Sequence, residues 1–157
     1  MKDFLTKLSV TFAAGSLGGL LNSVTVWLFG VIGITALFGV NVAPALTVQW
    51  LYPRIVWGGM WGWLFLLGFL PGSPVVRGAF YSIGPTLIQL FVVFPIQTGK
   101  GMLGVDLGPL TPVFVVFFNL VWGIAASLWL SLIEAEGGRR SVSRTAVPGD
   151  LAPQPSR

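Results

Sequence analysis

The stretch WLYPRIVWGGMWGWLFLL, residues 50–67, places a single arginine near the head of an almost unbroken apolar run. Trp57, Trp61 and Trp63, with Leu64, Phe65, Leu66 and Leu67, cover every side of a helical wheel, so a helix here has no polar face to turn toward water. An apolar solvent removes the difficulty, and the rest of the chain has the same character. Its 157 residues are 54% hydrophobic and only 9% charged, against roughly 25% charged residues in a soluble domain. Between Leu8 and Ile133 the formal charges are Arg54, Arg77, Lys100 and Asp106 alone. The charged outer face that keeps a domain in water is therefore missing, and the chain reads as a membrane protein in contact with lipid.

Composition also narrows the chemistry. There is no Cys and no His, which excludes disulfides, thiolate or imidazole metal sites, cysteine nucleophiles and the usual proton switch. No metal and no cofactor is expected. The net charge of +4 gathers near the chain ends, which suits anionic headgroups rather than nucleic acid. The opening MKDFLTKLSVTFAAGSLGG has the basic start of a signal peptide. Its apolar run continues past Ala14 to Val40, however, where a short signal core would stop, so it reads as a retained helix.

A spanning helix needs about 20 mostly apolar residues. Segments near 8–30, 54–70, 74–95 and 112–133 meet that length, giving an all-α integral membrane four-helix bundle over 1–133. Ser73 and Thr111 are the expected caps of the third and fourth helices, with Pro74 and Pro112 at their first positions. Residues 31–53 are apolar but broken by Gly33, Gly39, Asn41, Pro44 and Pro53, and read as an interfacial or re-entrant segment. Trp50 and Tyr52 then form an aromatic belt and Arg54 a snorkelling cation at a membrane boundary. Four crossings put Lys2, Lys7, Arg77, Arg139, Arg140, Arg144 and Arg157 on one side and Arg54 and Lys100 on the other. That asymmetry predicts a plasma (inner) membrane location with both termini cytoplasmic. The polar tail, residues 134–157, is expected to be disordered.

Small residues mark where helices approach closely in lipid. Gly15, Gly18 and Gly19 form a smooth strip on the first helix, and Gly58 and Gly62 another on the second. These strips predict packing, within the chain or between copies. The uncharged polar residues at depth are Asn22, Gln89 and Asn119, which fall within roughly 5 Å of one level by helical rise. Amides in hydrocarbon are costly unless paired, so the three are expected to face inward, as helix-joining hydrogen bonds or as the wall of a ligand pocket. Pro85 lacks an N–H and predicts a kink near Gln89 that exposes backbone acceptors. On the outer side Lys100, between two glycines, and Asp106 are candidates with Arg54 for gripping an anion.

The sequence contains no nucleophile with a base, no paired carboxylates and no acidic residue within the expected bilayer segments. Proton-relay transport and enzyme chemistry are both disfavoured. The resulting expectation is an accessory or scaffolding membrane subunit, in contact with lipids, that self-associates or joins a larger complex. The alternatives are a transporter or oligomeric channel for a small neutral or zwitterionic solute, and a lipid-modifying enzyme using Lys100, Arg54 and Asp106.

Overall fold

The structure, a computed structural model, describes the backbone of residues 2–145 apart from positions 69 and 71. Among the described residues every element is helical. Helix α1 is Lys2–Val31, and a short α2, Ile34–Leu37, follows it. Helix α3, Val48–Gly62, tightens into 3-10 turns over Trp63–Leu67. Helices α4, Pro74–Tyr81, and α5, Ile83–Ile88, run on into a π-helical stretch, Gln89–Gln97. A 3-10 turn, Met102–Leu107, leads to α6, Thr111–Thr145. Three of these helical stretches are long and apolar enough to cross a membrane: Asp3–Val31, Pro74–Gln97 and Thr111–Gly137. Large apolar side chains point outward along them, with Val31 63%, Val113 63% and Leu132 66% exposed, the reverse of what water selects.

Close approach of backbones organises the packing. A Cβ built on Gly15 would lie 2.7 Å from the Gly62 Cα, and one on Gly58 would lie 2.8 Å from the Gly19 Cα. The order reverses between the helices, so α1 and α3 are antiparallel. Gly18 sits under the Trp122 ring, with Cδ1 2.9 Å from where its Cβ would be, and α6 packs antiparallel to α1 on its other side. Gly78 and Gly123 bring α4 onto α6 in the same way. The glycine strips foreseen on the first two helices thus meet each other and Trp122 within one chain. Where lipid removes any hydrophobic drive between helices, such contacts plus interhelical hydrogen bonds hold the structure.

Trp122 supplies one of those bonds at the point where three helices meet. Its Nε1–H donates to the carbonyls of Gly15, at 3.0 Å, and Gly58, at 3.3 Å. Trp122→Phe keeps an aromatic ring but removes the N–H that ties α6 to both carbonyls. It is expected to cost about 1–2 kcal/mol, read as a lower midpoint of thermal unfolding in detergent; an unchanged midpoint would show that the clamp contributes nothing.

Several boundaries differ from the expected ones. Helix α3 begins six residues before Arg54, because Thr47 caps it by accepting from Trp50 N–H at 3.3 Å. Trp50 and Tyr52 are therefore helical rather than a flanking belt. Pro53, read as a break, lies inside the helix, which continues past it to Gly62 without the bond a residue with an N–H would make there. Thr111 is the first residue of α6 rather than a cap, and its own N–H donates to Gly108 O at 3.0 Å. The last helix does not stop near Ile133. Glu134, Ala135 and Glu136 are good helix formers, Glu134 lies 3.6 Å from Arg77, and the backbone stays helical to Thr145. The remainder of the expected tail lies outside the described residues.

The segment after α1 folds over one end of the helices. Asn41 N–H donates to Leu107 O at 2.6 Å, and Thr35 Oγ1 donates to Val42 O at 2.8 Å. Gly108 sits against Gly39, with φ near +139°, a conformation open to glycine alone in that crowded contact. Thr35 and Val40 are each only 1% exposed. Residues 39–44 thus roof the space between α1, α3 and α6.

Candidate functional site

Arg54 occupies the centre of that space. It lies six residues, about 9 Å, into α3, and its side chain turns toward α1 rather than outward. Arg54 Nε–H donates to Ser23 Oγ at 3.0 Å, and an Nη2–H donates to Asn22 Oδ1 at 2.8 Å. Its guanidinium carbon stands 4.7 Å from the centre of the Trp50 ring, within cation–π range. The expected snorkelling cation is thus a structural centre of the helix assembly. Its direction is set by two neighbours one helix away, Asn22 and Ser23, which α1 presents side by side.

Asn22 joins three elements. Besides accepting from Arg54, its Nδ2 donates to Phe118 O on α6 at 2.6 Å. Ser23 Oγ passes its own proton to Gly19 O at 2.7 Å, leaving its lone pairs for Arg54. A second amide pair lies across the bundle, with Asn119 Nδ2 donating to Gln89 Oε1 at 3.3 Å. Among the described residues no carboxylate lies within ion-pair distance of Arg54, the ion pair being Arg77 with Glu134. A part-buried cation held by neutral acceptors keeps an unmet demand for an anion.

Two cavities open onto the guanidinium. One, of about 360 Å³, lies beneath the 39–44 roof and is lined by Asn22, Asn41, Trp50, Arg54, Gln89 and Thr111 among others. The Thr111 hydroxyl has no hydrogen-bond partner among the described residues although the residue is only 1% exposed. The other, of about 280 Å³, lies between α3 and the 83–97 helix and includes Asn22, Arg54, Pro85, Gln89 and Asn119. Arg54, Asn22 and Gln89 border both. The second cavity therefore gathers all three amides singled out by depth, together with Pro85.

Pro85 acts through the helix break that precedes it. The turn changes at Ser82, whose φ and ψ are −69° and −16°, and its carbonyl accepts from both Thr86 N–H, at 3.2 Å, and Thr86 Oγ1, at 2.7 Å. Beyond Gln89 the helix widens to π geometry, with Thr98 N–H reaching back to Val93 O at 2.9 Å. The wider turn accommodates Pro95, which would crowd an α-helical turn. Gln89 begins this stretch, which is how it comes to face α6 and Arg54 together.

The outer-loop candidates are not brought to the site. Lys100 and Asp106 are exposed and line neither cavity, although Asp106 N–H does donate to Lys100 O at 3.2 Å and closes the loop. Sequence reasoning missed Ser23, Trp50 and Thr111 as parts of the site; Asn22-Ser23 side by side opposite a lone arginine was the available signal. It also missed a second cation centre at the other end. There Arg77 donates to Ser127 Oγ at 2.9 Å and to Ser131 Oγ at 3.1 Å, with the serines and Glu134 spaced along one face of α6. Among the described residues no three His, Cys, Asp or Glu side chains come together as metal ligands. Comparison with known proteins returned no matching family model, no similar curated protein and no similar solved structure.

Proposed function

We propose that the chain is a four-crossing plasma-membrane protein whose Arg54 cavities bind a small solute through a carboxylate, zwitterionic solutes included, as a carrier or channel would. The single observation that carries the reading is the part-buried guanidinium, with neutral hydrogen-bond partners only among the described residues, opening onto two cavities. Arg is suited to this because its planar fork matches a carboxylate and stays charged when buried. A scaffolding role draws less support, since the glycine strips that would join partners are occupied within the chain. Contact with lipid or another copy then falls to the exposed apolar flanks.

Length supports the fourth crossing. Fifteen α-helical residues of α3 rise about 22 Å, and the five 3-10 residues after them about 10 Å more, together near the roughly 30 Å of a hydrocarbon core. The 31–47 segment then lies at the outer face with the 98–110 loop, and both termini lie in the cytoplasm. On this reading the roofed cavity lies at the outer end of the helices, beneath the 39–44 segment.

The test is thermal unfolding of the purified protein in detergent with acetate, glycine and glutamate. At least one is expected to raise the midpoint of the wild type and to have no effect on Arg54→Gln. Equal shifts in both proteins, or none in either, would remove the solute site.

A further inference from the structure

The cavity between α3 and the 83–97 helix differs from the roofed one in where it leads. Its far wall is apolar and partly open at the flank of the molecule: Trp57 is 57% and Ile88 43% exposed, and Pro53, Trp61 and Val93 complete the lining. Helix α3 packs on α1, and the 74–97 helix packs on α6, so these two helices face each other across a cleft. That cleft is closed at its deep end. Gly84 meets Leu64 and Trp61 there, with Leu64 Cδ1 3.1 Å from a Cβ built on the glycine, and the Phe65 and Tyr81 rings meet at a tilt with centroids 4.7 Å apart. It is open from that point up to Pro53 and Gln97, with Arg54, Asn22, Gln89 and Asn119 along its inner wall.

We infer that this cleft is a lateral entrance from the bilayer, and that its occupant is a single-chain long-chain carboxylate whose head meets Arg54 and whose chain lies along Trp57, Trp61, Pro85 and Ile88. The inference rests on the solute-site reading and narrows it to an amphiphile. Three features argue for it. The unneutralised cation is complementary to an anionic head. The apolar wall leads from that cation toward the deep end of the cleft, so a head at Arg54 with its chain pointing inward has the orientation of an outer-leaflet lipid. The space of about 280 Å³ is at the small end for a ligand site, which suits one chain with a compact head.

The test uses the full chain in phosphatidylcholine vesicles and a palmitate analogue bearing a photoreactive diazirine near the middle of its chain. Crosslinks are expected at Trp57, Trp61, Pro85 or Ile88. Excess palmitate should suppress them, palmitate methyl ester should not, and Arg54→Gln should lower the yield about tenfold, the effect of losing one charge-assisted contact. Ile88→Trp, a change at an exposed position that narrows the cleft, should lower the yield while Arg54 is intact, which covers the case in which Arg54→Gln does not fold. Crosslink yields unchanged from wild type in both the Arg54 and Ile88 variants, or crosslinks spread over outward residues such as Val113 and Leu132, would overturn the inference. Competition by phosphatidylglycerol but not palmitate would overturn the assignment to a single-chain carboxylate. Protection by acetate or glutamate without palmitate crosslinking would overturn the lateral entrance alone and leave the solute site standing.

Discussion

Gly15→Leu is expected to destroy the α1–α3 interface, costing more than about 3 kcal/mol. At Gly15 even a Cβ would fall 2.7 Å from the Gly62 Cα and 2.8 Å from the Gly62 nitrogen, besides meeting the Gly58 carbonyl. These neighbours are backbone, so no rotamer change relieves the clash and the two helices must separate. Separation also pulls the Trp122 N–H from its two carbonyl acceptors and moves Arg54 away from Ser23. The variant should aggregate or elute broadly in detergent at temperatures where the wild type is sharp. Gly137→Ala, with nothing within 4 Å of the added carbon, should change stability by no more than about 1 kcal/mol and in the favourable direction. Equal behaviour of the two variants would refute the close α1–α3 packing.

The second large effect is expected at Asn22, because one side chain serves two elements. Asn22→Leu leaves an Arg54 Nη2–H without its partner and removes the side-chain donor that the Phe118 carbonyl accepts in addition to its helical one, bonds of 2.8 and 2.6 Å. A lost bond to a part-buried charged group and a lost interhelical bond together cost about 2–4 kcal/mol. Arg54→Met in the Asn22→Leu background removes the stranded charge, so the double variant should be at least about 1 kcal/mol more stable than the sum of the single effects. Gln89→Leu breaks only the 3.3 Å bond from Asn119 and should cost less, about 0.6–1.7 kcal/mol. Thermal or denaturant unfolding of the wild type, Asn22→Leu, Arg54→Met, the double variant and Gln89→Leu in one detergent measures all of this, and strict additivity would sink the Asn22–Arg54 linkage.

Features that depend on the solvent were legible in the sequence. Long apolar runs near 8–30, 74–95 and 112–133 became three membrane-length helices, since hydrocarbon sets both their length and their composition. The inward grouping of Asn22, Gln89 and Asn119 around one cavity followed from the cost of an amide facing lipid. Features that depend on a particular partner were not legible. Whether Arg54 snorkels or turns inward is decided by Ser23 and Asn22 on another helix and by where Thr47 starts α3. Pro85 announced irregularity without its form, a break at Ser82 and a π-helical stretch from Gln89. The glycine strips announced close packing but not with which helix. That Lys100 stands apart from Arg54 reflects the local closure of the 98–110 loop, which spacing along the chain does not encode.

The placement of Arg54 matters only if α3 carries it through the membrane, and labelling single-cysteine variants in intact cells tests that most directly. The chain has no native cysteine, so a membrane-impermeant thiol reagent reads each introduced position without background. Asn41→Cys and Lys100→Cys should react in intact cells, whereas Ser73→Cys, at the other end of α3, should react only after permeabilisation. Reaction of Asn41→Cys and Ser73→Cys from the same side would mean that α3 does not cross, and would contradict the account.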